Sequence, residues 1–148
     1  MSRFLLVAVL LAAAPALAQP VSRSPGRPFP APPLFVHEGT LAAGDSLIVG
    51  TGEFSDAFEV PVVAGQTVRA VVTSADVDTW LIVRPPTGEP LDDDDCTPGD
   101  TSSSCLTLVA DTAGVVRVTV TSYRPGETGR YRLDVRDVPV GGAAVAPR

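Results

Sequence analysis

The sequence has no lysine and no asparagine, a single histidine (His37), two cysteines (Cys96 and Cys105), and only 5% aromatic residues. Each shortage removes a class of function. One histidine cannot build a zinc site that needs two, so every HExxH protease is excluded. All eleven basic residues are arginine, and seventeen acidic residues outweigh them to a net charge of −6. A nucleic-acid binder needs a concentrated basic surface to neutralise phosphates, and this balance argues against one. Without asparagine there is no N-glycosylation acceptor, and glycine, proline and aspartate are left to make the turns. No GxSxG elbow is present, and Gly50-Thr51-Gly52 lacks the third glycine and following helix of a dinucleotide fingerprint. At 148 residues, one domain with a single core is the expectation.

What is present begins with a leader. Arg3 precedes the unbroken apolar run Phe4 to Leu11, and Ala16-Leu17-Ala18 supplies a small-residue cleavage site. The stretch from Phe4 to Ala18 contains Pro15 and falls short of the about 20 residues a spanning helix needs. Residues 1–18 therefore read as a signal peptide, in preference to an uncleaved anchor or a buried helix. No membrane span remains after cleavage, and the mature chain is expected to be secreted or periplasmic. An oxidising compartment favours a disulfide between Cys96 and Cys105, closed over the polar turn TPGDTSSS. A redox pair is the competing reading, but CxxC spacing and a nearby basic group are both missing.

Six of the fifteen residues from Gln19 to Pro33 are proline, so residues 19–36 are expected to form an extended spacer. Residues 37–138 form the body, and 139–148 a small-residue tail expected to be disordered. The body has period two. Phe58 to Val62, Val68 to Thr73, Asp78 to Val83, Leu106 to Val109, Val116 to Thr121 and Tyr131 to Arg136 read as strands. Turns at Ala64-Gly65, Pro86-Thr87-Gly88, Ala113-Gly114 and Pro125 to Gly129 divide them. The pattern predicts an all-β single domain: an antiparallel β-sandwich of jelly-roll or immunoglobulin-like type, with a partly closed barrel as the alternative.

The segment AGQTVRAVVTSADVDTWLIVRPPTGEPLDDDD resembles the middle of a bacterial pre-peptidase C-terminal domain. Ala64-Gly65 opens a strand, Asp78-Thr79-Trp80-Leu81 matches the family's fDtyL element, and Gly88 precedes the acidic run Asp92 to Asp95. FSDAFEVPV, AGVVRVTVTS and GRYRLDV resemble the flanking strands, so the likeness runs from about Glu38 to Asp137. Val115-Val116 stand where the family places an aromatic, and the Cys96–Cys105 loop is an insertion relative to it. The resemblance implies a non-catalytic β-sandwich of the kind appended to secreted proteases, some of which bind calcium structurally.

Two features could carry chemistry. The carboxylates Asp92, Asp93, Asp94 and Asp95, with Asp100 in the following loop and Asp78 on the preceding strand, are candidate oxygen ligands for calcium. The competing reading is a solvated acidic turn that blunts a sheet edge. If Thr79, Leu81 and Val83 face inward, Trp80 and Ile82 share the outer face and could anchor a partner. Otherwise Trp80, the only tryptophan, is ordinary core. His37 reads as an exposed junction residue. The expectation is an exported, non-catalytic binding or accessory module whose partner is an extracellular or periplasmic protein or polymer. The rivals are a small secreted metal-dependent hydrolase using the acidic loop and a purely structural envelope protein.

Overall fold

Alternating valines and threonines pack best on a pleated surface with one face dry, and they dictate this architecture. The computed structural model describes residues 33–138, so the leader, most of the proline-rich spacer and the tail lie outside the described residues. Nine strands follow in order: β1 (Pro33–Leu41), β2 (Ser46–Leu47), β3 (Phe54–Val62), β4 (Thr67–Thr73), β5 (Thr79–Arg84), β6 (Leu91–Asp93), β7 (Ser103–Val109), β8 (Gly114–Ser122) and β9 (Gly129–Asp137). They form two antiparallel sheets, ordered β1-β9-β4-β7 and β2-β3-β8-β5-β6, which pack as a sandwich. This is the expected fold class.

The core lies between the sheets. Val68, Ala70, Val72, Leu133 and Val135 come from the four-stranded sheet, and Leu81, Val83, Val116, Val118 and Val120 from the five-stranded one; all are buried. Thr79 is also buried, so β5 turns Thr79, Leu81 and Val83 inward as its alternation predicts. Three polar ties cross the sandwich. The Tyr131 hydroxyl donates to Asp56 at 2.5 Å, which raises the tyrosine pKa through burial and the adjacent carboxylate. Thr79 and Ser104 share a buried hydroxyl–hydroxyl bond of 2.7 Å. The Cys96–Cys105 disulfide joins the loop after β6 to β7, with Cα atoms 5.0 Å apart. Gly39 is required beside the first tie: it is the register partner of Tyr131, and a Cβ there would overlap the tyrosine ring.

Three local expectations change. Composition extends the spacer to residue 36, but β1 already begins at Pro33 and pairs with β9 through a register shift between Pro33 and Phe35. An edge strand tolerates the missing proline N–H, which is why a proline-rich run can enter the sheet here. His37 is not an exposed junction residue. It is half-buried in β1, its ring centroid 4.7 Å from Phe58 and 6.1 Å from Phe35 and Tyr131. Leu91 to Asp93, read as loop, form the edge strand β6.

Candidate binding face

Neighbouring carboxylates of the acidic run take different partners. Alternation along β6 sends Asp92 and Asp93 to opposite sides of the sheet. Asp92 accepts a long bond of 3.3 Å from the Trp80 indole, and Asp93 accepts from the Cys105 amide at 3.0 Å. Asp95 accepts from the Gly99 amide at 2.7 Å, closing the turn beneath the disulfide. Asp100 takes the Ser102 amide at 3.0 Å and the hydroxyls of Ser102 and Ser103 at 2.5 Å each. Those bonds hold its carboxyl below the usual aspartate pKa. The Asp94 carbonyl accepts from the Ser104 hydroxyl at 2.9 Å. Asp78 does sit near this end, as the sequence suggested. Desolvation raises its pKa, Arg124 offsets part of that, and Asp95 and Asp94 add to the rise. Among the described residues, no group of three or more His, Cys, Asp or Glu side chains is arranged to hold a metal ion. A calcium site asks for six to eight convergent oxygens, and the carboxylates of Asp92, Asp93, Asp95 and Asp100 already accept from separate donors. Asp93 ties β6 to β7, and Asp95 and Asp100 brace the 95–103 loop from within.

The outer face of the five-stranded sheet is different. Trp80 and Ile82 emerge there half-buried, so Trp80 is not core. Strand register sets their neighbours. Trp80 faces Thr121, which faces Ser55; Ile82 faces Thr119, which faces Ala57; Arg84 faces Arg117, which faces Glu59. One wall rises from the β2–β3 hairpin, where the Ile48 amide donates to the Glu53 carbonyl at 2.9 Å and the Gly52 amide to the Ile48 carbonyl at 3.0 Å. Gly50 and Gly52 hold φ of 99° and 89°, the left-handed backbone that lets the tip turn so tightly. The tip carries aliphatic side chains outward: Leu47 is 56% exposed and Val49 99%. Hairpin and sheet enclose a groove of about 480 Å³, with Ala57, Thr119 and Ile82 along its floor and Arg84 and Arg117 at one end.

The two sheets treat their arginines differently. On the four-stranded sheet Arg132 pairs with Glu38 at 2.7 Å, and Arg136 makes a two-pronged bond to Asp134 with both contacts at 2.7 Å. Arg130 pairs with Asp76 at 3.2 Å, which holds that carboxyl below its usual pKa. Arg69 donates to the Cys105 sulfur at 3.5 Å, so the fold brings a basic group beside the bridge that sequence proximity does not show. On the five-stranded sheet, Arg84 and Arg117 lie side by side with no ion pair or hydrogen bond among the described residues. The hairpin wall and this pair escaped sequence reasoning. The signal was there in Leu47-Ile48-Val49 running into two glycines, but the arginine pair exists only once β5 and β8 are in register.

No protein-family model matches the sequence, and no curated protein is similar to it. Among solved structures, the fold is similar to the pre-peptidase C-terminal domain of a collagenase from Bacillus anthracis, at 15% identity and a TM-score of 0.51. That alignment covers 69% of this chain and 88% of the collagenase domain. A periplasmic inhibitor of g-type lysozyme from Salmonella Typhimurium aligns at 14% identity and a TM-score of 0.46, covering 70% of this chain and 86% of the inhibitor. The fold is thus pre-peptidase C-terminal-like.

Proposed function

We propose that this chain is an exported, non-catalytic binding module that engages an extracellular or periplasmic partner through the outer face of its five-stranded sheet. The observation that carries the reading is the groove itself. Trp80 and Ile82 sit on that face beside a hairpin presenting Leu47 and Val49 to solvent, an arrangement that stability does not need. The leader at residues 1–18 and the Cys96–Cys105 bridge support export. Likeness of fold to a pre-peptidase C-terminal domain supports an accessory role. The rival hydrolase reading rests on the acidic loop, where the carboxylates of Asp92, Asp93 and Asp95 accept from three separate donors.

The test is retention of envelope material from the producing cell on immobilised protein. Trp80→Ala should lower saturable retention with little change in the thermal melt, since a half-buried outer-face side chain adds little to the core. Retention unchanged by Trp80→Ala, or lost only together with the fold, would refute the reading.

A further inference from the structure

Resting on that reading of the face, we infer the chemistry of its occupant: an extended peptide segment of a partner protein, carrying a carboxylate side chain two residues from an aliphatic one. The carboxylate lies between Arg84 and Arg117, and the aliphatic side chain lies against Ile82 and the Leu47–Val49 wall.

Three observations lead there. First, Arg84 and Arg117 are direct register partners, and like charges directly opposite on a sheet repel. The three ion-paired arginines of the other sheet show that this chain supplies acids where arginines need them. Here the nearest candidate in register, Glu59, makes no ion pair with Arg117. Two guanidiniums converging on one groove end are complementary to a carboxylate, which each can grip through paired N–H donors. Second, away from the arginines the groove mixes the aliphatic side chains of Leu47, Ile48, Val49, Ala57 and Ile82 with the hydroxyls of Ser46, Ser55 and Thr119. Val49 is 99% exposed, and the one aromatic nearby, Trp80, has its indole N–H turned to Asp92. Aliphatic walls with a few polar groups suit a peptide's alternating side chains. Third, the Arg84 row and the Ile82 row lie two residues apart along β5. An extended peptide repeats its side chains on one face at that same interval, about 6.6 Å.

Trp80 is the only tryptophan, so its fluorescence reports on this face without a label. The probe is a blocked peptide Thr-Leu-Thr-Glu-Thr, compared with its Gln analogue and with an oligogalacturonate. Saturable quenching or shift is expected with the Glu peptide. Affinity should fall about tenfold or more for the Gln analogue, for Arg84→Gln and for Arg117→Gln, each losing at least one charge-assisted contact. Both variants should melt no lower than the native chain, which separates lost binding from lost fold. Equal binding of the Glu and Gln peptides, both abolished by Ile82→Asp, would overturn the carboxylate assignment and leave the binding face standing. Tighter binding of the oligogalacturonate than of the peptide would overturn the choice of a peptide. No saturable response to either probe overturns this inference; the binding-face reading falls with it only if Trp80→Ala also leaves envelope retention unchanged.

Discussion

If the Arg84–Arg117 pair is kept for a ligand, the free protein should be more stable without it. Cross-strand partners hold their Cβ atoms about 4.5–5.5 Å apart. With that spacing taken as the least distance between the two charges, their repulsion in water is at most about 0.8 kcal/mol, and screening at physiological salt, with a Debye length of about 8 Å, roughly halves that. Both side chains are exposed, so the water limit applies and the larger low-dielectric figures do not. Arg84→Gln and Arg117→Gln should each raise stability by up to about 0.4 kcal/mol at 0.15 M salt, and the second substitution should add almost nothing to the first. The gain should approach about 0.8 kcal/mol at low salt and vanish near 1 M, where the Debye length is about 3 Å. Urea titrations of the four proteins of the double-mutant cycle, with a common m-value, measure the coupling directly. A coupling that is zero at low salt, or attractive, would show that the two guanidiniums already satisfy each other or reach an acid, and the argument for an anionic occupant would collapse.

Other consequences follow from the same geometry. Tyr131→Phe leaves the Asp56 carboxylate without its donor and should cost about 1.5–3 kcal/mol in urea unfolding, and Gly39→Ala should cost at least as much by displacing the tyrosine ring. A loss below about 0.5 kcal/mol for both would remove this tie from the account. Asp78→Asn removes a desolvated carboxylate beside Asp94 and Asp95, so it should raise the melting temperature in the presence of a chelator, most at low salt. Were Asp78 a calcium ligand, the substitution would instead abolish a calcium-induced rise in that temperature. The Asp100 carboxyl is held below its usual pKa by the Ser102 and Ser103 hydroxyls, and Asp76 by Arg130. Folding therefore favours their ionised forms, and the stability this contributes is present above the unfolded pKa near 3.9 and is lost as pH falls through the depressed folded values. Melting temperature against pH should drop below about pH 4, and Asp100→Asn should flatten that drop; identical profiles would contradict the loop assignment.

Much of the sandwich could be read from the alternation itself. Thr79, Leu81 and Val83 point inward as a half-dry strand requires, and Gly65, Gly88 and Gly126 hold the left-handed backbone within or beside the turns that punctuation marks. The strands that escaped notice are edges. β1 begins among prolines, β6 is made largely of aspartate, and β2 has two residues. Edge strands need only one neighbour and tolerate the charges and prolines that intrinsic preference counts against a strand. The binding face was half legible. Trp80 and Ile82 follow from local periodicity, whereas Arg84 and Arg117 meet only through pairing between strands far apart in sequence. The partners of the acidic run were not legible either: the pleat and the 95–103 turn give Asp92, Asp93 and Asp95 separate donors that adjacency in sequence does not indicate.

The central claim, that one face of the sandwich binds and the other does not, is tested most directly by placing the same charge on each. Ile82 and Val71 are both half-buried aliphatic residues on outer faces, one on β5 and one on β4. Saturable retention of envelope material should be abolished by Ile82→Asp and left at the native level by Val71→Asp. Retention lost with Val71→Asp and kept with Ile82→Asp would contradict the account.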